Sequence, residues 1–113
     1  MVEDDHVRRG YCVAMSPSSR RVAVVQMTSG DDRDRNLETA ERWVRRAAAD
    51  GADLVVLPEK WNLIDVGMRQ AERAEERDGP SLSAAASWAR ECAVVLVAGS
   101  ISERIAGDVR AFN

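Results

Sequence analysis

Three short, almost uninterrupted apolar segments place the strongest constraint on the fold of this chain. They are rich in β-branched residues and occupy Val22–Met27, Asp53–Pro58 and Ala93–Gly99. Strands that are apolar on both faces suit a parallel sheet covered on both sides better than an antiparallel sheet with one wet face. The sequence therefore predicts an α/β fold in which these segments are parallel strands.

Two amphipathic helices are predicted between these strands. The first has apolar residues at three- and four-residue steps, with Asp32 or Asp34 available to cap its start and Gly51 suited to follow its end. The second is predicted at Pro80–Cys92, where the proline suits the first turn. Residues 67–77 are too polar for a core element and are expected to form a surface loop or a short helix. The β-α-β order implies right-handed crossovers between neighbouring strands.

This pattern does not determine how the two faces of the sheet are covered. The two helices either flank opposite faces of a small doubly wound sheet, or they share one face while residues outside this sequence cover the other. Residues 1–20 show no periodicity, and we expect a disordered leader there, with Met15 as an alternative start to Met1. Residues 21–113 then form the domain, and its ending just after a probable turn is expected to be a truncation.

Composition excludes several classes of function. The net charge of −3 gives no basic footprint for nucleic acid, and no apolar run approaches the roughly 20 residues that span a bilayer. The two cysteines form neither a disulfide framework nor a spaced metal site. The single histidine, His6, lies in the leader, so a Ser-His-Asp or Cys-His arrangement is not available. We expect a cytoplasmic protein that binds neither membranes nor nucleic acid.

Chemistry in an open α/β sheet is expected beyond the carboxyl ends of the strands. The candidate segments at those ends are Gln26–Asp32, Pro58–Asn62 and Gly99–Glu103. In the second segment, Pro58 ends the strand and Glu59 follows at the mouth of the sheet, with Trp61 as a large apolar wall. A carboxylate in such a place suits a general base. The alternative is an acid that caps the next turn or pairs with Lys60.

The acidic pair Asp31-Asp32 raises a different possibility, a response-regulator receiver domain with its metal-binding acidic corner. Receiver domains need a phosphoaccepting aspartate at the end of the second landmark strand, where this chain has Pro58-Glu59. Capping of the first helix explains the acidic pair better.

Other reactive or aromatic residues are predicted to have structural roles. Cys92 continues the apolar face of the second helix and is expected in the core. Lys60 is expected to be solvated or structural, and Trp43 and Trp88 to be packing residues rather than a binding platform.

Five short segments, taken in order and spacing, resemble the N-terminal region of carbon–nitrogen hydrolases of the nitrilase superfamily. The segments are Arg21–Met27, Asn36-Leu37, Gly51–Glu59, Asp78–Pro80 and Ala98–Glu103. The resemblance covers about residues 21–113, that is, everything except the leader. No single segment is decisive, but their combination is highly specific.

This resemblance implies a fold and a chemistry. The fold is the N-terminal part of a four-layer α-β-β-α sandwich, and the activity is hydrolysis of small amides without a cofactor, with nitriles as the less favoured substrate class. The reaction uses a Glu-Lys-Cys triad, and the glutamate, the general base, carries over to Glu59. The lysine and the cysteine belong to later motifs, which Lys60, Cys12 and Cys92 do not match. The full-length family members are expected to form homo-oligomers.

The 113-residue chain is accordingly expected to be inactive on its own. A second hypothesis, from a different functional class, is a non-catalytic truncated remnant that acts as an association module through its sheet or helices.

Overall fold

A four-stranded sheet forms the centre of the fold. The computed structural model describes residues 11–14, 20–107 and 111–112. The strands, in their order across the sheet, are β1 (Tyr11–Ala14), β2 (Val22–Val25), β3 (Leu54–Val56) and β4 (Val95–Val97). β1 pairs antiparallel with β2, whereas β2, β3 and β4 are parallel. The predicted α/β arrangement with a parallel sheet is confirmed, and β3 lies between the other two parallel strands.

Helices follow the first and second parallel strands at the predicted places. They are α1 (Arg33–Ala49), the short α2 (Met68–Glu72) and α3 (Pro80–Cys92). The side chain of Asp32 accepts a hydrogen bond from the backbone N–H of Arg35, 3.1 Å away, and caps α1 as one of the two predicted candidates. Gly51 follows the end of this helix with a φ of +89°. A small antiparallel pair, β5 (Glu103–Arg104) and β6 (Ala111–Phe112), comes last.

One face of the sheet is covered by both long helices, α1 and α3, which also pack against each other. The buried residues of α1 recur at three- and four-residue steps, as the periodicity predicts. The two long helices together cover a row of side chains from three paired strands, Ala23, Val55 and Leu96. The core therefore lies between this face and the two helices.

The opposite face of the sheet is bare in the described part of the chain. Its apolar residues form two rows across the register, Val22–Leu54–Val95 and Val24–Val56–Val97. Val24 is 49% exposed, Val95 63% and Val97 44%. Both long helices lie on one side of the sheet, and coverage of the second face stays a prediction. Of the two arrangements that the sequence left open, the one-sided arrangement is found.

The expected leader contains a strand. β1 lies within residues 1–20 and pairs along its whole length with β2, which gives that edge of the parallel sheet a neighbour. Regular structure was not expected there. Residues 1–10 and 15–19 lie outside the described part of the chain. No described helix combines the length and the apolar character needed to cross a membrane.

Candidate active site

The carboxyl ends of β2, β3 and β4 meet at one edge of the sheet because the three strands are parallel. The three candidate segments of the sequence therefore come together, and the segment after β3 lies in the middle. Glu59 is in that central segment, and its side chain is exposed at the mouth of the sheet.

Glu59 is held close to the end of β4. Its backbone forms an isolated parallel bridge with Ser100. This close approach requires Gly99, whose φ is +54°. A Cβ at Gly99 would lie 2.0 Å from the carbonyl oxygen of Pro58, a distance that no side chain tolerates. Glycine at this position therefore allows Ser100 to lie beside the turn that carries Glu59.

The chain reverses directly after Glu59. Lys60 adopts a left-handed backbone conformation with a φ of +46°, which is uncommon for a residue with a side chain. Its backbone N–H donates to Oγ of Ser100 at 3.2 Å. The lysine thus has a structural role in its backbone, which agrees with one of the two roles expected for it.

Trp61 does not form the expected wall at the mouth of the sheet. The reversal at Lys60 sends its indole back into the core, where it is fully buried. Its Nε1 donates to the carbonyl oxygen of Ala98 at 2.6 Å, and its ring lies 5.8 Å from that of Trp88 at an angle of 59°. The buried indole of Trp61 therefore fixes the turn to the core, while the side chain of Glu59 stays exposed.

The loop after β2 holds the same turn from the other side. Ser29 Oγ donates to the carbonyl oxygen of Trp61 at 2.9 Å. The buried Asn36, in the first turns of α1, donates to the carbonyl oxygens of Asn62 and Gly30, both at 2.9 Å. Asn36 also accepts the backbone N–H of Gly30 at 3.1 Å. Both neighbouring strand ends therefore fix the backbone that presents Glu59.

Glu75 is a polar residue of this region that the sequence reasoning missed. It belongs to the run 67–77, which was expected at the surface, yet only 6% of it is exposed. Its carboxylate accepts hydrogen bonds from the backbone N–H of Ser81 at 2.7 Å and from Asn62 Nδ2 at 2.8 Å. Spacing gave no signal for this burial, because the donors come from segments that the fold brings together.

The other reactive and aromatic residues considered in the sequence have structural roles. Cys92 packs against the core at the end of α3, as expected, and Trp43 and Trp88 are packing residues. Because α3 ends just before β4 begins, Cys92 lies toward the amino end of the strands, at the opposite edge from Glu59. Within the described ranges, no group of three or more potential ligands is arranged to hold a metal ion.

The sequence matches a known protein family and several proteins with assigned names. The family model of the carbon–nitrogen hydrolases matches residues 21–113. The chain is 34% identical to the human omega-amidase NIT2 over 81% of its length and 33% of that protein, and 38% identical to the Danio rerio omega-amidase NIT2 over the same shares. It is 37% identical to the Bos taurus deaminated glutathione amidase over 74% of its length and 26% of that protein. The chain thus spans about a quarter to a third of these relatives.

Proposed function

Because this chain belongs to the carbon–nitrogen hydrolase family, we propose that it carries the general base of an amidase, Glu59. The observation that supports this role is the contrast between the side chain and its backbone. The carboxylate is exposed at the carboxyl edge of a parallel sheet, while Trp61 and Asn62, two and three residues later, are buried and hydrogen-bonded. Such an arrangement holds a reactive group in place and leaves it accessible to a substrate.

The proposed chemistry is acyl transfer to a cysteine. Glu59 takes the thiol proton, the thiolate attacks the amide carbon, and the C–N bond breaks as the nitrogen leaves with that proton. Glu59 then takes a proton from the water that attacks the thioester carbon. The C–S bond breaks, the carboxylic acid is released, and Glu59 returns the proton to the departing thiolate, which restores the enzyme. The residue that stabilises the tetrahedral oxyanion is the lysine of the triad.

That lysine and that cysteine are proposed to come from chain outside these 113 residues. Lys60 serves the turn through its backbone, and Cys92 lies at the opposite edge of the sheet. Cys92 therefore does not occupy the place of a catalytic partner of Glu59, and the lysine of the family's triad belongs to a later motif that Lys60 does not match.

Small amides are the proposed substrates, in preference to nitriles. All three relatives described above are named as amidases, two of them omega-amidases and one a deaminated glutathione amidase. The homo-oligomeric state of the longer protein and its cytoplasmic location stay predictions.

Substitution of the base tests the proposal. In the protein made from the complete reading frame that contains this sequence, Glu59→Gln should lower kcat for small aliphatic amides by about a hundredfold or more, since it removes the base but keeps the shape. Ammonia release measures the rate. The matched control is Glu38→Gln, on the exposed side of α1, which should leave kcat unchanged. Full activity of Glu59→Gln would overturn the assignment.

The 113-residue chain provides a second check. It should release no ammonia, because the nucleophile is proposed to lie elsewhere. Turnover by the purified chain that disappears on Cys92→Ala would show that the triad is built differently.

A second candidate function is supported by the bare face of the sheet. A non-catalytic association module would bury Val24, Val95 and Val97 against a partner. This candidate requires that the complete protein has no amidase activity and that Val24→Lys with Val97→Lys abolishes association, as measured by sedimentation. Amidase activity that depends on Glu59 would exclude it.

A further inference from the structure

The turn that carries Glu59 contains an unfavourable backbone conformation that neighbouring residues must stabilise. Lys60 lies in the left-handed region, which costs energy for any residue with a Cβ. Such a conformation persists where the surrounding structure determines it. Ser100 supplies one contact, through the N–H of Lys60. Ser29, Asn36 and the indole of Trp61 hold the residues after the reversal. The side chain of Asn62 adds a further connection, to Glu75.

Asn62 is buried and its side chain is used as a donor. Its Nδ2 donates to Glu75 Oε2 at 2.8 Å and to Ser81 Oγ at 3.1 Å. Its Oδ1 is buried and has no hydrogen-bond partner within the part of the chain that the structure describes. The opposite amide orientation would turn this oxygen toward the Glu75 carboxylate, which also has no proton to donate. The side chain is therefore aligned by Glu75, at the cost of an unsatisfied oxygen.

Glu75 is in turn fixed from three further directions. Its Oε1 accepts the N–H of Ser81 and so caps α3, whose N-cap residue, Gly79, has no side chain to do so. Its Oε2 accepts the hydroxyl of Ser81 and lies 3.2 Å from Nε of Arg33 in an ion pair. A Cβ at Gly79 would lie 2.9 Å from Oε1, so glycine there leaves room for the carboxylate.

The backbone of Glu75 ties the same residue to the end of β4. Its N–H donates to the carbonyl oxygen of Ser102 at 3.1 Å, and its own carbonyl oxygen accepts the N–H of Arg104 at 2.7 Å. The starts of α1 and α3, the turn after β3 and the segment after β4 therefore converge on this one buried residue.

We propose that Glu75 is a positioning residue, which acts through Asn62 to hold the turn that presents Glu59. The proposal rests on the proposed function, because Glu59 must be the base for its position to matter. Glu75 touches neither the substrate nor the reacting atoms. Its role is to keep the carboxylate of Glu59 where proton transfer requires it.

The test exploits the equal shapes of glutamate and glutamine, and of asparagine and aspartate. Glu75→Gln places an amide N–H against a donor in either orientation, the Asn62 amide or the backbone N–H of Ser81. Asn62→Asp places two carboxylates against each other. Each single variant of the complete protein should lose about a hundredfold in kcat with little change in KM, because misplacement of a catalytic group by about 1 Å has that effect. The double variant restores a donor and an acceptor with reversed direction and should recover most of kcat.

Two controls separate the possible failures. Glu76→Gln changes the exposed neighbour of Glu75 and should leave kcat unchanged. Glu59→Gln, measured in parallel, tests the proposed function itself. If Glu59→Gln is inactive while Glu75→Gln keeps the wild-type kcat, the positioning role is wrong and the proposed function stands. If Glu59→Gln is fully active, the proposed function is wrong.

A readout independent of activity uses amide hydrogen exchange in the purified 113-residue chain. Glu75→Gln should accelerate exchange at residues 59–62, and the double variant should slow it again. Unchanged exchange in Glu75→Gln would overturn the proposal. Acceleration spread evenly over the whole sheet would also overturn it, because it would indicate a general loss of stability rather than a loosened turn.

Discussion

The two faces of the sheet differ in their surroundings far more than in their sequence. Ala23 and Val25 in β2 point into the core beneath α1 and α3, whereas Val24, between them, is half exposed on the other face. The same contrast holds in β3 and β4, where apolar residues occupy both faces. A solvent-facing sheet surface usually carries polar residues in alternation. This bare face carries no polar residue in its three parallel strands, and its composition is therefore typical of a buried surface.

This difference clarifies the architecture that the family resemblance implies. In a four-layer α-β-β-α sandwich, each sheet has helices on one face and the other sheet on its second face. The described residues provide one helical layer and one sheet, with the helices on a single side. We propose that the bare face is the inner surface of such a sandwich in the longer protein.

The largest effect is expected on the covered side. Trp61→Ala removes a fully buried indole that packs on Trp88 and should lower the free energy of unfolding by about 3–5 kcal/mol. Val95→Ala on the bare face should cost less than about 1 kcal/mol, since most of its side chain is already in water. Urea unfolding of the purified chain measures both values. Equal losses would mean that the two faces do not differ in solution.

A sharper comparison uses adjacent residues of one strand. Val25 is 2% exposed and Val24 49%, and threonine has nearly the shape of valine. Val25→Thr should cost about 1–3 kcal/mol, because it buries a hydroxyl among apolar side chains. Val24→Thr should stay within about 0.5 kcal/mol in this chain.

Repeating this pair in the longer protein tests the proposed sandwich. If a second layer covers the bare face there, Val24→Thr should become about as costly as Val25→Thr. A large cost of Val24→Thr already in the 113-residue chain, dependent on protein concentration, would instead indicate that the chain covers this face by self-association.

The sequence could predict the elements because their signals are local. The apolar segments gave the three parallel strands, and Asp32, Gly51 and Pro80 gave the helix ends. It could not predict which face is covered, because every strand is apolar on both sides. The side on which the helices lie depends on how the crossover connections pack against the sheet. No single residue of the sequence indicates that side.

The site was predictable only in part for a different reason. The position of Glu59 follows from the strand end, but the direction of Trp61 depends on the left-handed conformation of Lys60. Lysine carries no signal for that conformation, which glycine or asparagine would have indicated. The burial of Glu75 could not be predicted because its neighbours in the sequence are polar. Its burial depends on hydrogen-bond donors contributed by other segments.

A second group of exposed apolar side chains lies outside the sheet, and different forces hold it. Ile64, Val66 and Met68 are exposed on the segment that leads from the Glu59 turn to α2. Between them, the side chain of Asp65 is only 2% exposed and pairs with Arg73 at 2.7 Å and Arg69 at 3.0 Å. Charge pairs, together with hydrogen bonds of the Gln70 side chain, therefore contribute to holding this segment in place.

The smallest effect is expected from this segment, and it should depend on pH. The hydrogen bond from Arg73 and the backbone N–H of Val66 hold the pKa of Asp65 below its usual range, although partial desolvation opposes them. A lowered folded-state pKa stabilises the protein above the unfolded value of about 3.9, and this contribution is lost as the pH falls through the folded value.

Asp65→Asn should therefore destabilise the chain at neutral pH by less than Val25→Thr does. The difference from wild type should shrink below about pH 4, as measured by thermal unfolding across the acid range. The difference between Val24→Thr and Val25→Thr should stay constant over the same range, because neither change involves a charge. A pH-independent effect of Asp65→Asn would mean that the segment is held by packing, like the covered face of the sheet.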